Sequence, residues 1–216
     1  MHVSLTSIPS RFDGLGDTVE SILSQNTAPS SVTIYLPKRY ERFGELSELP
    51  RLPKDRRLHV RVVEEDLGPL TKVGYAVSEV YPDHDLVFCD DDQIYPSDWL
   101  ARFSSERIRR PNDPLCLSGF QLESGVSEIK VTPRAVFKGA SYRLARVATL
   151  GLHKPEGPWT RSGYVDIAEG WAGVCLRPGW LPANFTQILE SCRYVDDVWI
   201  SGMLAVGGRS PWLIAP

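Results

Sequence analysis

Short apolar runs, each closed by proline, glycine or acidic residues, give this chain its rhythm. Val3-Ser4-Leu5-Thr6-Ser7-Ile8 reads as a first strand stopped by Pro9. Leu15, Val19, Ile22 and Leu23 then fall on one face of a helix that ends near Gln25-Asn26. Val32 to Leu36 is a second strand, stopped by Pro37. Residues 38–57 are charged and proline-containing, and read as an exposed excursion with room for one helical turn. Leu58, Val60 and Val62 alternate with His59 and Arg61, the period of a third strand. After the turn Asp66-Leu67-Gly68-Pro69, the spacing of Leu70, Val73, Val77 and Val80 predicts a helix. The apolar run Leu86-Val87-Phe88-Cys89 is too short for a helix and reads as a buried parallel-type strand. This alternation predicts an α/β fold with a mostly parallel central sheet flanked by helices.

The second half is less regular. Pro96-Ser97-Asp98 opens a helix carrying Trp99, Leu100 and Phe103 inward, and Leu115-Cys116-Leu117 is a strand. Residues 122–168 suit a hairpin and a mobile loop, and Trp159 and Tyr164 are placed to close over a ligand. Ala172 to Leu176 reads as a strand, and Phe185, Ile188, Leu189 and Cys192 as one face of a helix. A last helix carries Val198, Met203 and Leu204 and stops at Gly207-Gly208, followed by an edge strand over Pro211 to Ala215.

A length of 216 residues suits one domain, with 1–110 and 111–216 as its two halves. A net charge of −3 gives no electrostatic reason to expect nucleic acid. No apolar run is long enough to span a bilayer, and the chain enters a strand at once, without a signal peptide. Cys89, Cys116, Cys175 and Cys192 are widely spaced in apolar segments, as expected of reduced cysteines in a cytoplasmic protein; two disulfides are the alternative if the chain is exported.

Asp90-Asp91-Asp92 closes the buried strand. Three adjacent carboxylates repel unless positive charge lies between them. A divalent cation that prefers oxygen, Mn2+ or Mg2+, with an anionic ligand beyond it, resolves that repulsion. The end of such a strand is also where open α/β sheets bind ligands.

Four segments then carry a family resemblance. Cys89-Asp90-Asp91-Asp92 resembles the Asp-x-Asp motif of nucleotide-sugar glycosyltransferases of the GT-A fold, a Rossmann-like architecture with a small acceptor-side hairpin and loop region. Asp66-Leu67-Gly68-Pro69-Leu70-Thr71-Lys72 resembles the Asp-x-Gly-Pro-x-x-Lys turn of bacterial capsule-type, family-2-like members. Val195 to Gly202, with Asp196 and Asp197, resembles their late acidic motif, and Glu169-Gly170-Trp171-Ala172-Gly173-Val174 the glycine-rich strand beneath the acceptor.

The resemblance implies a metal-dependent transfer of a sugar from a nucleoside diphosphate, with uridine the commonest base, to a carbohydrate or lipid-linked acceptor. By it, Asp92 ligates the metal with Asp90 as second ligand or ribose contact, and Asp91 faces the sheet or the sugar. Thr6, Ser7, Ile8 and Pro9 lie under the base, with Arg11 adding a stacking or phosphate contact. Asp66 reads base or ribose, and Lys72 contacts the donor phosphates. Asp197 is the base of an inverting transfer, with Asp196 as fallback; retaining members carry the same acidic pair, so that mechanism stays open. Glu169, Gly170 and Trp171 form the acceptor platform. His153 is the only histidine of the second half, with nothing to place it near the aspartates. A partner protein or a second copy could supply further acceptor surface.

Two other classes compete. A nucleotidyltransferase needs a glycine-rich, basic phosphate loop after the first strand, where this chain has Thr6-Ser7-Ile8-Pro9. A non-catalytic nucleotide-sugar-binding module predicts loss of one acidic motif, and both are present.

Overall fold

The computed structural model describes residues 1–123, 132–137, 144, 147–148 and 159–216. Its centre is an eight-stranded sheet. Strands β1 (His2–Thr6), β2 (Ser31–Pro37), β5 (Leu58–Val63) and β6 (Leu86–Phe88) run parallel, in the order β5-β2-β1-β6. Strands β7 (Leu115–Cys116), β11 (Gly163–Tyr164), β13 (Val174–Leu176) and β14 (Trp212–Leu213) extend it as β13-β7-β14-β11 beyond β6. Both halves of the chain therefore share one sheet.

Alternation along the strands divides the core into two layers. Val3, Leu5, Val32, Ile34, Val87 and Cys89 pack against helices α1 (Phe12–Leu23) and α4 (Trp99–Arg109). Tyr35, Leu86 and Phe88 point to the other face, toward α2 (Thr71–Gly74), α3 (Ala76–Glu79) and α5 (Asp196–Val206). In α1 the buried set Leu15, Val19, Ile22 and Leu23 is the stripe read from the sequence.

β13 runs antiparallel to β6, with Val174 opposite Phe88. The amino end of β13 is thereby brought to the carboxyl end of β6, so the turn before β13 meets the three aspartates. That turn is a 3-10 helix over Gly170–Ala172, and the strand starts at Val174 rather than Ala172. Gly173 has φ +101°, and a Cβ there would lie 2.6 Å from the Trp99 ring.

Several expectations change. The excursion after β2 contains no helical turn but a small hairpin, β3 (Arg39–Tyr40) with β4 (Gly44–Glu45), where Gly44 supplies φ +78°. The single helix expected from Leu70 to Val80 is two one-turn helices, preceded by a 3-10 turn over Gly68–Leu70. Gly74, a weak helix former, sits at the break, and Val80 is already extended. Phe185 to Cys192 is not one helix; only Glu190–Cys192 forms a 3-10 turn. The Phe185 carbonyl accepts from Trp199 Nε1 at 2.8 Å; Phe185, Ile188 and Cys192 still pack on one core, but Leu189 is 59% exposed. The strand near the carboxyl end is not at the edge, because β11 pairs outside β14. Val62, expected inward, is half-exposed, and Val63 is buried instead.

Short ladders β8 (Gly119–Phe120) with β12 (Ile167–Ala168), and β9 (Val136–Phe137) with β10 (Trp159–Arg161), complete the described part of the second half. Part of the loop expected over 122–168, including His153, lies outside the described residues. The four cysteines are free. No described helix is long and apolar enough to cross a membrane.

Gly173→Ala is expected to lower the unfolding free energy by roughly 2–4 kcal/mol, since it combines a glycine-only backbone with an overpacked contact. The urea midpoint measures it; an unchanged midpoint would refute this account of the turn.

Candidate active site

The carboxyl ends of the parallel strands open into one cleft of about 320 Å³. Thr6, Ser7, Ile8 and Arg11 form its floor after β1, Pro37 and the hairpin residues Tyr40, Arg42 and Phe43 one wall, and Asp66, Gly68, Pro69 and Lys72 another; Asp90, Asp91, Tyr194 and Asp196 complete it.

The three consecutive aspartates meet three environments. Asp91 is buried, accepting from Ser7 Oγ at 2.5 Å and from Arg11 Nη1 at 2.8 Å. Its backbone carbonyl accepts from Thr18 Oγ1 at 2.9 Å, which ties the strand end to α1. The Asp91 carboxylate holds the Arg11 guanidinium charged, raising its pKa. Asp90 accepts from Lys72 Nζ at 2.6 Å. Asp92 is 45% exposed, with Oδ2 3.4 Å from Arg11 Nη1. Arg11 and Lys72 therefore supply much of the positive charge that the triple aspartate demands.

Lys72 is the most enclosed charge in the cleft. Its ammonium lies between Asp90 and Asp196 Oδ2, the latter at 2.9 Å, and 5.8 Å from the centre of the Phe88 ring. Burial works against that charge, but Asp196 and Asp90 outweigh it and raise the pKa. The anions that settle this lysine in its short helix are thus the chain's own.

The late acidic pair divides. Asp196 is buried and faces Lys72. Asp197, half-buried, accepts instead the Gly170 backbone N–H at 2.8 Å. Burial, then the neighbouring charge of Asp196, push its carboxyl up to about 6. A Cβ on Gly170 would come within 3.1 Å of Asp197 Oδ1 and 3.2 Å of Lys72 Nζ, so glycine is what lets the 170–172 turn close over this centre. Beside it, Trp171 is 47% exposed and Glu169 accepts from Ser118 Oγ at 2.6 Å. Tyr95 Oη lies within donating distance of the carbonyls of Asp90 (3.1 Å) and Trp171 (3.0 Å), linking the strand end to that turn.

Asp66 shapes the rim. Its carboxylate accepts backbone N–H groups from Gly68 at 2.8 Å and Glu41 at 2.9 Å. Gly173 leaves room for Trp99 rather than for a ligand. The two aromatics expected in a lid sit elsewhere: Trp159 is buried in the β9–β10 ladder, and Tyr164 packs edge-on against Trp212 in the sheet. The pattern of the sequence missed Tyr40, Arg42, Phe43 and Tyr194. Tyr40 is buried and donates to the Ser7 carbonyl at 3.0 Å. The signal for this wall was the pair Tyr40 and Phe43 set among charged residues.

Neither a family model nor a curated protein matches the chain. Solved structures do. S. aureus TarS in complex with UDP superposes with a TM-score of 0.52 at 12% identity over 100% of this chain and 60% of that one. A second S. aureus TarS structure gives 0.52 at 10% identity over 99% and 35%, so this chain spans only part of either. Francisella tularensis 2-C-methyl-D-erythritol 4-phosphate cytidylyltransferase (IspD) gives 0.50 at 9% identity over 99% and 88%. These likenesses show the fold, a GT-A-like α/β architecture with a large mostly parallel sheet.

Lys72→Met would leave the buried Asp196 and the partly buried Asp90 close together without a counter-charge. A loss of about 3–5 kcal/mol in unfolding free energy is expected at pH 7. Chemical denaturation tests it; a loss under about 1 kcal/mol would show that the lysine is not the neutralising partner.

Proposed function

We propose that the chain is a glycosyltransferase that moves a sugar from a nucleoside diphosphate, UDP first among the candidates, to the hydroxyl of a carbohydrate or lipid-linked acceptor, in the cytoplasm and in the assembly of a surface polysaccharide. One observation carries this reading: Asp197, poised near pH 6, stands at the junction of the cleft holding Asp90 and Lys72 and the open face carrying Trp171. A carboxylate so placed suits taking a proton from an acceptor hydroxyl as it attacks, the requirement of an inverting transfer. Asp196, committed to Lys72, holds the centre together rather than moving a proton. Thr6, Ser7, Ile8 and Pro9 would lie along the base, and Asp66 at its edge. Trp171 and Glu169 would receive the acceptor's C–H face and hydroxyls.

The oxygen donors of this corner suit Mn2+ or Mg2+. Asp92 is exposed, and Asp90 has one oxygen engaged with Lys72, so these two would hold the ion. Asp91 is committed to Ser7 and Arg11. Bound there, the cation would stabilise charge developing on the leaving diphosphate. A nucleotidyltransferase is the second reading, favoured by the likeness to IspD over 88% of that chain. The two differ in product, a transferred sugar against a newly made nucleotide conjugate.

Asp197→Asn is expected to keep nucleotide binding and to lower turnover by roughly 10²–10⁴-fold. In the wild type, kcat should rise as pH passes up through about 6 and level off above it, because only the ionised carboxylate accepts a proton. A fully active Asp197→Asn would exclude this base. Asp92→Ala should abolish any extra thermal stabilisation that manganese adds to a bound nucleoside diphosphate. If the manganese effect survives in that variant, the ion is held elsewhere.

A further inference from the structure

The cleft's charges point to an anion contact that neither the sequence motifs nor the fold comparison indicates. Three cations line it: Arg11, Lys72 and Arg42. Arg11 is engaged by Asp91 and Asp92, and Lys72 by Asp90 and Asp196. Asp66, the remaining cleft carboxylate, accepts two backbone N–H groups. Among the described residues no carboxylate pairs with Arg42. Its guanidinium lies 5.9 Å from the centre of the Tyr194 ring.

The position of Arg42 is built, not incidental. It sits at the tip of the hairpin, after Glu41. The Glu41 carboxylate accepts from Arg193 Nε at 2.9 Å and from Tyr194 Oη at 3.0 Å, while Arg193 Nη2 also donates to the Asp66 carbonyl at 2.9 Å. The hairpin tip is thereby fastened to the segment that leads into α5. Beside Arg42, the rings of Phe43 and Tyr194 are 46% and 53% exposed and line the same cleft. An uncommitted cation flanked by two open rings suits a ligand that joins a planar aromatic group to negative charge.

We propose that Arg42, rather than Lys72, is the cleft side chain that takes the negative charge of the donor's phosphates, with Phe43 and Tyr194 flanking the nucleotide. This rests on the donor being a nucleoside diphosphate. Lys72 would have to abandon two carboxylates to do the same work, whereas Arg42 has no carboxylate to leave among the described residues.

The test is calorimetric titration of the full chain with UDP, CDP, GDP and ADP, their nucleosides and inorganic pyrophosphate, each with manganese and with EDTA. Wild type, Arg42→Ala, Arg42→Lys and, as a control away from the cleft, Arg39→Ala are compared, with thermal midpoints confirming that each folds. Arg42→Ala should weaken the preferred diphosphate roughly tenfold to hundredfold, leave its nucleoside unchanged, and be partly rescued by lysine. Arg39→Ala should bind as wild type. Unchanged diphosphate affinity in Arg42→Ala would overturn the assignment, as would an equal loss for the nucleoside or an equal loss in Arg39→Ala. If the wild type binds pyrophosphate but no nucleoside diphosphate, and Arg42→Ala loses the pyrophosphate, Arg42 stands and the donor reading falls. Binding of neither ligand by the wild type overturns both.

Discussion

A single ammonium group, that of Lys72, organises the cleft. It is buried between Asp90 at the end of β6 and Asp196 at the start of α5. Removing such a charge from water is costly, and only two carboxylates at hydrogen-bond range make it tolerable. The arrangement obliges three elements from distant parts of the chain to converge: the short helix after Pro69, the strand ending in the triple aspartate, and the late acidic helix. Gly170 completes the closure, because any side chain there would press on both Lys72 and Asp197.

The same constraint distributes roles among adjacent acids. In each acidic motif, one carboxylate is buried and committed and another is left less engaged. Asp91 goes to Ser7 and Arg11 while Asp92 stays exposed. Asp196 goes to Lys72 while Asp197 turns to the Gly170 N–H. The buried members fix geometry. The less engaged members differ: Asp92 is half-exposed, and Asp197, partly buried, has raised proton affinity.

Much of this could be read from the residues alone. Strands β1, β2 and β6 and helix α1 carry clear patterns and their apolar residues are buried as expected, whereas the late helix buries Leu204 but leaves Val198 exposed, and β5 leaves Val62 exposed. The acidic motifs stood out because clustered like charge demands a partner. The identity of the partners was the harder part. A cation from α1's approach and another from a helix sixty residues on neutralise the cluster, and no local pattern announces contacts of that range. Local periodicity also misled: Phe185, Ile188, Leu189 and Cys192 have helical spacing, yet a tryptophan indole captures the carbonyl that a helix would need. The hairpin over Arg39–Glu45 was hidden for the opposite reason, since two-residue strands are too short to show alternation.

Tyr95 has one hydroxyl proton and two carbonyls within its reach, on opposite sides of the site. It can satisfy either by a small rotation. The turn does not depend on that choice, because the Ala172 carbonyl also accepts from Trp99 Nε1 at 2.8 Å and the Gly170 N–H is held by Asp197. The segment that carries Trp171 is thereby stitched to a strand and two helices at once, and a change at any one of the three would be felt by the exposed ring.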